Sequence, residues 1–283
     1  MTFTPVIPQG GYGGWAFLTQ TLSAQKRAFS ADPTLQRDEA YFRDKIGSVS
    51  TAAQLVGDRR LLSVALKAFG LGADINNKYF IQKVLGDGTQ SSAALANKLA
   101  DKRYLQFSQA FGFGDGAVPN TKSAGFADTI LGAYEDQGFQ MAVGTQNDDM
   151  RLALNAQTQL ASIAGQSSTD NTKWFTVMGS PPLRTVVQTA LGLPQGFSNL
   201  DLDTQLSVLK SSSARQIGGT DFSQFSDPVN VGKLIRLFVV RSQAQSSTMS
   251  PNSAALTLLQ GGAGGGALQA TGATGGSLLS LYV

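Results

Sequence analysis

The chain contains neither cysteine nor histidine among its 283 residues. Their absence excludes Ser-His-Asp and Cys-His catalysis, thiol redox chemistry, zinc sites built from cysteine or histidine, and histidine-ligated haem. It also excludes disulfide bonds, so cysteine usage does not indicate a redox compartment. Any enzymatic chemistry would have to rely on carboxylate, lysine or serine side chains.

Charged residues are also scarce, at 14% of the chain, compared with about 25% in an average soluble domain. Apolar residues make up 42%, which is enough for a sizeable core. The polar surface must therefore come mainly from Gln, Ser, Thr and Asn, a composition that suits packing against protein partners as well as an ordinary monomer. The net charge is +3 and the basic residues are scattered, so we predict no nucleic-acid binding.

The sequence has no recognisable targeting segment or membrane span. Its first residues, MTFTPVIPQGGYGGW, lack the basic region, apolar run and small-residue cleavage site of a signal peptide. No window reaches the roughly 18 apolar residues of a membrane-spanning helix. We predict no cleavable signal peptide and no transmembrane segment.

Hydrophobic spacing predicts an all-α fold. Val231, Leu234, Ile235, Phe238 and Val239 follow the i, i+3, i+4, i+7, i+8 spacing of one buried helix face. Similar stripes run through residues 61–69 and 150–161. No segment alternates with the period of two that is typical of a strand, so we expect little or no sheet.

Helix boundaries can be placed from capping residues. Asp58 is a predicted N-cap, and Ser180 precedes two prolines, which favour the first helical positions. Gly70 and Gly192 are predicted helix stops. Asp227, followed by a proline, is predicted to open the last helix.

The chain also matches itself. The segment GDRRLLSVALKAFGL (57–71) matches GSPPLRTVVQTALGL (179–193) at an offset of 122. A second match, at an offset of 127, pairs Tyr104, Phe107 and Phe111 with Val231, Leu234 and Phe238. Because the matches keep apolar positions and glycines, we predict an internal duplication that gives two similar multi-helix units, over residues 15–125 and 126–245. The sequence leaves open whether they form one domain or two.

Glycine is concentrated at both ends of the chain. We predict a flexible N-terminal arm over residues 1–14 and a low-complexity C-terminal tail over residues 246–283. Loops resembling phosphate-binding glycines occur at 10–14 and 112–116, but neither follows a strand in a βαβ unit. We interpret the first as part of the arm and the second as a turn.

The candidate chemical groups favour structural roles. Asp148 with Asp149, and Asp201 with Asp203, lie where helices should begin, which favours capping. The other candidates are the two glutamates, Glu39 and Glu135, which nothing in the sequence links, and a conceivable serine–lysine pair, Ser63 and Lys67. We predict no catalytic, cofactor-binding or metal-ligating residue and no cofactor.

The aromatic residues are expected to pack in the core or between the two units. The prominent ones are Trp15, Phe17, Tyr41, Phe42, Trp174 and Phe175. For Trp15, which lies next to the predicted arm, a partner-binding role is the alternative.

Three segments resemble a proteobacterial family known only as a domain of unknown function. They are DEAYFRDKIGSVST (38–51), QLVGDRRLLSVALKAFGLG (54–72) and VGKLIRLFVVRSQAQ (231–245). The resemblance covers about residues 34–245 and implies that the unit can occur more than once. It also implies an association with the flagellum, because genes of this family often lie among flagellar genes. It supplies no catalytic residues.

These observations and the resemblance together predict a non-enzymatic structural or accessory protein of bacterial flagellar assembly that binds protein partners, with flagellar components as the expected ones. The expected location is cytoplasmic or flagellum-associated. A cytoplasmic export chaperone or regulator is the first alternative. An enzyme of unidentified type is the second.

Overall fold

All regular elements in the computed structural model are helical across the residues it describes, 3–116 and 118–248. The all-α prediction is therefore confirmed. The α-helices are α1 (Gly11–Ser30), α2 (Pro33–Lys45), α3 (Ala52–Gly57), α4 (Arg59–Ala68), α5 (Lys78–Gly86), α6 (Leu95–Lys98), α7 (Arg103–Phe111), α8 (Phe126–Gln146), α9 (Asp148–Ala164), α10 (Asp170–Gly179), α11 (Pro181–Leu191), α12 (Leu202–Gln216) and α13 (Pro228–Thr248). Short 3-10 helices are Ile46–Ser48, Gly72–Asn76, Asn120–Lys122, Gln195–Asn199 and Phe222–Ser226.

The predicted helix boundaries lie close to the observed ones. Asp58 caps α4, because its carboxylate accepts hydrogen bonds from the amides of Arg60 and Leu61 at 2.9 and 3.1 Å. Ser180 occupies the equivalent position before α11, but its side chain makes no capping bond. Both helices are followed by a glycine in the left-handed conformation, with φ +68° at Gly70 and +69° at Gly192. These residues end the helices as predicted, since a side chain would be strained there.

The two caps provide a matched pair for a stability experiment. We expect Asp58→Ala to lower the free energy of unfolding by about 1–2 kcal/mol, because two helix amides lose their acceptor. The hydroxyl of Tyr41 also loses its bond to Asp58, which is 2.7 Å long. Ser180→Ala should cost less than about 0.5 kcal/mol, since no capping bond is lost. Urea denaturation followed by circular dichroism measures both, and equal losses would contradict the capping argument.

Apolar side chains form two cores. The first core is built by α2 to α5, α7 and the N-terminal half of α8. The second core is built by α1, the C-terminal half of α8 and α9 to α13. Helix α8 belongs to both, because Ile130 and Tyr134 lie in the first core and Phe139 and Val143 in the second. One continuous helix therefore joins the two.

Helix α1 crosses the division expected from the sequence. The predicted boundary between residues 125 and 126 falls where α8 begins, but Trp15 and Leu18 of α1 lie in the second core. The end of α1 lies against the middle of α8, where Lys26 pairs with Asp136 at 2.6 Å. Residues 1–243 group as one compact unit and residues 244–283 as another, of which the structure describes 244–248 as the end of α13.

The prediction of a flexible arm over residues 1–14 is wrong for residues 11–14, which are helical. Helix α1 already begins at Gly11. The backbone of Val6 is held at both its amide and its carbonyl by the side-chain amide of Gln25, at 2.9 and 3.0 Å. A Cβ at Gly14 would lie 1.8 Å from the carbonyl oxygen of Gln9. Glycine there permits close backbone packing, a role that composition alone cannot distinguish from flexibility.

The predicted C-terminal tail falls almost wholly outside the described residues. The tail was placed at 246–283, whereas α13 continues to Thr248. Residues 249–283 lie outside the described part of the chain.

Candidate functional site

Helices α10, α11 and α12 border an open cavity of about 510 Å³ beside the second core. We call it the α10–α12 pocket. Its lining residues are Phe175, Met178, Gly179, Arg184, Ser198, Leu202 and Gln205. A cavity of this size is in the range that binds side chains or small molecules.

The helical period explains why α10 contributes to both the core and the pocket. Trp174 is fully buried, while the next residue, Phe175, is 36% exposed. Consecutive residues on a helix point about 100° apart, so one faces the second core and the other the pocket. The prediction that Phe175 packs in the core or between the units is therefore wrong.

The outer edge of the pocket is apolar and accessible. Leu200 is 43% exposed and Leu202 is 62% exposed, and both lie at the start of α12. With Phe175 they form what we call the apolar rim. Single exposed apolar residues are common on proteins, but a cluster around a cavity indicates a binding surface.

Two glutamines hold the wall of the pocket. The side-chain amide of Gln188 on α11 donates to the hydroxyl of Ser198 at 3.2 Å. The amide of Gln205 on α12 donates to the carbonyl of Leu200 at 2.6 Å and more weakly to that of Ser198 at 3.4 Å. Because Asp201 caps α12, accepting from the amide of Thr204 at 2.9 Å, the segment between α11 and α12 is fixed at several points.

Arg184 is the charged group of the pocket. Its Nε atom is buried and has no hydrogen-bond partner. Across residues 3–116 and 118–248, no carboxylate forms an ion pair with its guanidinium. A buried donor without a partner costs free energy, so Arg184 is the lining residue of this pocket whose charged group is not fully satisfied.

A second cavity, of about 330 Å³, lies between the two cores and has a different character. Its charged groups already have partners. Arg103 pairs with Asp101 at 2.6 Å, and Arg151 pairs with Asp148 at 2.7 Å. The α10–α12 pocket is therefore the better candidate, because its cation is unpaired.

Comparison with protein families matches residues 68–231, more than half of the chain, to the model described as a protein of unknown function, DUF1217. The chain belongs to this family. The match lies inside the region in which the sequence resembles a domain of unknown function, so that resemblance is confirmed at the level of the family. The flagellar association that it implies stays a prediction. No curated protein matches the chain.

The fold of this chain is similar to that of a protein whose structure has been solved. It is the X-ray crystal structure of protein AGR_C_984 from Agrobacterium tumefaciens, with a TM-score of 0.70 and 26% sequence identity. The match covers 86% of this chain and 99% of that one. The similarity therefore extends well beyond the segment that matches the family model.

The structure also brings together the two glutamates that the sequence could not link. Glu39 on α2 and Glu135 on α8 face each other, and Glu135 accepts a hydrogen bond from the hydroxyl of Ser30 at 2.5 Å. One oxygen of Glu39, Oε1, is buried without a hydrogen-bond partner. The sequence contains one sign that Glu39 is partly buried. Glu39 falls at the helical spacing of Leu35, Phe42 and Ile46, which are buried.

The surroundings of Glu39 favour its protonated form. Burial, and then the nearby charge of Glu135, raise its pKa from an ordinary value of 4.5 to about 7, against a smaller opposing effect of Arg43. Glu39 can therefore hold a proton near neutral pH, which is a property that a general acid or base requires.

The other carboxylates that the sequence singled out have structural partners. Asp148 pairs with Arg151, and Asp149 accepts from the hydroxyl of Ser242 at 2.6 Å. Asp201 is an N-cap, and Asp203 lies in the first turn of the same helix. Among the described residues, no group of three or more acidic side chains is arranged to hold a metal ion.

The remaining candidates also have structural positions. Trp15 is buried in the second core rather than free for a partner. Asp115, in the glycine-rich segment 112–116, accepts hydrogen bonds from the amide and the hydroxyl of Thr89 at 2.6 and 3.1 Å, as expected for a turn. None of the described helices is both long and apolar enough to cross a membrane.

Proposed function

We propose that the chain is a non-enzymatic structural or accessory protein of bacterial flagellar assembly that works by binding other proteins. The observation that carries the binding role is the apolar rim around the α10–α12 pocket. Burying an exposed leucine or phenylalanine side chain contributes about 1.5–3 kcal/mol, so this rim is a favourable place for a partner to dock. The scarcity of surface charge supports the same reading, because few charged groups would have to lose water.

The flagellar part of the proposal is supported by the family resemblance. The location that goes with it is cytoplasmic or flagellum-associated. Cell fractionation distinguishes the main proposal from an export chaperone or regulator. Recovery with hook-basal bodies or in the culture medium would exclude a chaperone that stays in the cytoplasm.

Chemical crosslinking tests the binding role in whole cells that express the tagged full chain. We expect crosslinks to rod, hook or export-gate proteins, identified by mass spectrometry. Leu202→Ser should weaken them by several-fold, because it removes apolar area at the rim. Val118→Ser changes another exposed apolar side chain, one that does not line the pocket, and should have no effect. Crosslinks only between copies of the chain would contradict the proposal.

A second candidate function rests on Glu39 and Glu135. Two carboxyl groups in contact, one with a pKa of about 7, have the chemistry of an acid–base pair. The chain would then be an enzyme that uses carboxylate chemistry. If cells that carry Glu135→Gln lose the function of the protein while its stability is unchanged, that result would favour an enzyme over the accessory role.

We also propose that the two cores arose from a duplicated helical unit. Residues matched at an offset of 122 share their environments: Leu61 and Leu183 are buried alike, and Gly70 and Gly192 share the left-handed conformation. In both places an α-helix ends before the glycine, and a 3-10 helix and then another α-helix follow it. Superposing residues 52–111 on 170–238 tests the proposal. Matched helices that ran in different directions would contradict it.

A further inference from the structure

We propose that the α10–α12 pocket binds a protein segment that presents a carboxylate to Arg184 and apolar side chains to the rim. The carboxylate belongs to an Asp or Glu side chain or to a chain terminus of the partner. This inference rests on the proposed protein-binding function and specifies the chemistry of the partner.

The two halves of the chain differ at the helix face that borders the pocket. At the offset of 122, Arg184 and Gln188 stand where the first half has Leu62 and Leu66. Both leucines are fully buried, and together they help to close the first core. In the second half the same helix face carries a cation and an amide and borders a cavity. If this helix face served only to stabilise a core, leucines would be expected at both positions.

The neighbouring helix shows the same change. Val84 and Leu85 of α5 match Val208 and Leu209 of α12 at an offset of 124, which aligns Ile81 with Gln205. Ile81 is fully buried in the first core, whereas Gln205 lines the pocket. The polar replacements therefore occur together, at the junction of α11 and α12.

The guanidinium of Arg184 lacks an ion-pair partner among the described residues. Gln188 and Gln205 are engaged with the segment between their helices, but Arg184 has no ion pair among the described residues and its Nε is sealed from solvent. A carboxylate is the acceptor that matches the planar guanidinium, since its two oxygens can accept two parallel hydrogen bonds.

A protein segment fits this site better than a small carboxylic acid does. Leu200 does not line the cavity, but it is 43% exposed, and its carbonyl accepts from the side-chain amide of Gln205, which does line it. A small acid would fill the pocket and leave this leucine exposed. A peptide that anchors its carboxylate on Arg184 can cover the whole rim with its neighbouring side chains.

Site-specific photo-crosslinking in cells tests this inference. The full chain carries p-benzoylphenylalanine in place of Leu200, beside the pocket, or in place of Val118 as a position control. Each is expressed with Arg184 intact, as Arg184→Gln and as Arg184→Lys. We expect position 200 to crosslink a partner protein through a peptide that contains a carboxylate within about one helical turn of the crosslinked residue. Arg184→Gln should reduce the yield at least about tenfold, and Arg184→Lys should restore part of it.

Matched peptides measure the charge preference directly. The purified full chain is titrated with acetyl-Leu-Glu-Leu-Leu-amide and with its Gln counterpart, and binding to the wild type and to the variants is followed by isothermal titration calorimetry. We expect the Glu peptide to bind at least about tenfold more tightly, and Arg184→Gln to remove the difference. Thermal unfolding of the variant checks that the fold is retained, and Arg184→Leu, which copies Leu62, is a second variant designed to fold.

The outcomes separate this inference from the function on which it rests. Equal crosslinking by the wild type and Arg184→Gln, or equal affinity for the two peptides, would overturn the carboxylate while leaving protein binding in place. Failure of position 200 to crosslink any other protein, with Arg184 intact, would overturn the inference and remove the rim as the support for the proposed function.

Discussion

Replacing Trp174 with alanine is expected to lower the free energy of unfolding by about 3–5 kcal/mol. The indole is fully buried in the second core. Its ring meets those of Phe222 and Phe225 edge to face, with centroids 5.0 and 6.1 Å apart. Its nitrogen donates to the carbonyl of Thr220 at 3.2 Å. The substitution would therefore leave a large cavity and a carbonyl that loses its donor.

The neighbouring residue supplies the control for this experiment. Phe175→Ala removes an aromatic ring of similar size from the same helix, but one that faces the α10–α12 pocket. It should cost less than about 1 kcal/mol, because that ring is already partly in water. Urea denaturation followed by circular dichroism measures both variants. Similar losses at the two positions would contradict the assignment of Trp174 to the core and Phe175 to the pocket.

Glu39→Gln is expected to stabilise the chain at pH 8 and to change little at pH 4.5. Burial and Glu135 raise the pKa of Glu39 from 4.5 to about 7 in the folded chain. A raised carboxyl pKa means that the folded state holds the proton more tightly. That contribution to stability is fully present below pH 4.5 and is lost as the pH rises through about 7. Glutamine does not titrate, so the variant escapes the loss.

The expected gain at pH 8 is roughly 1–2 kcal/mol, less than the full shift implies because Glu39 is only half-buried and solvent screens the pair. Urea denaturation at several pH values between 4.5 and 8 measures it. Asp44→Asn, on the exposed end of the same helix, is the control and should leave the pH dependence of the wild type unchanged. A gain from Glu39→Gln that is the same at every pH would show that the fold does not raise the pKa of Glu39.

The two proposed functions differ in the part of the molecule they use. Protein docking depends on Arg184 and Gln205, which line the α10–α12 pocket beside the second core. The acid–base alternative depends on Glu39 and Glu135, beside the first core. Variants at the two sites are therefore independent, and a phenotype caused by one set alone identifies the function.

The helices and several of their ends could be predicted from the sequence alone. Apolar residues spaced for one helix face predict α4, α9 and α13, and each of these helices contributes apolar residues of its predicted face to a core. Asp58 and Gly192 could be recognised because capping depends on residues within one turn of the helix end. The matched apolar positions of the two halves could also be recognised in the sequence, because buried helix faces require apolar side chains at the same spacing.

Which distant residues come into contact depends on how the helices pack. Nothing local links Glu39 to Glu135, because the contact between α2 and α8 joins residues 96 positions apart. The role of Gly14 also depends on packing, because it permits a close approach to the carbonyl of Gln9, which composition does not distinguish from flexibility. Arg184 could be read from the sequence as a charged helix residue. That it lacks a partner beside a cavity follows only from where α10, α11 and α12 pack, because pairing and solvent access are set by residues far away in the chain.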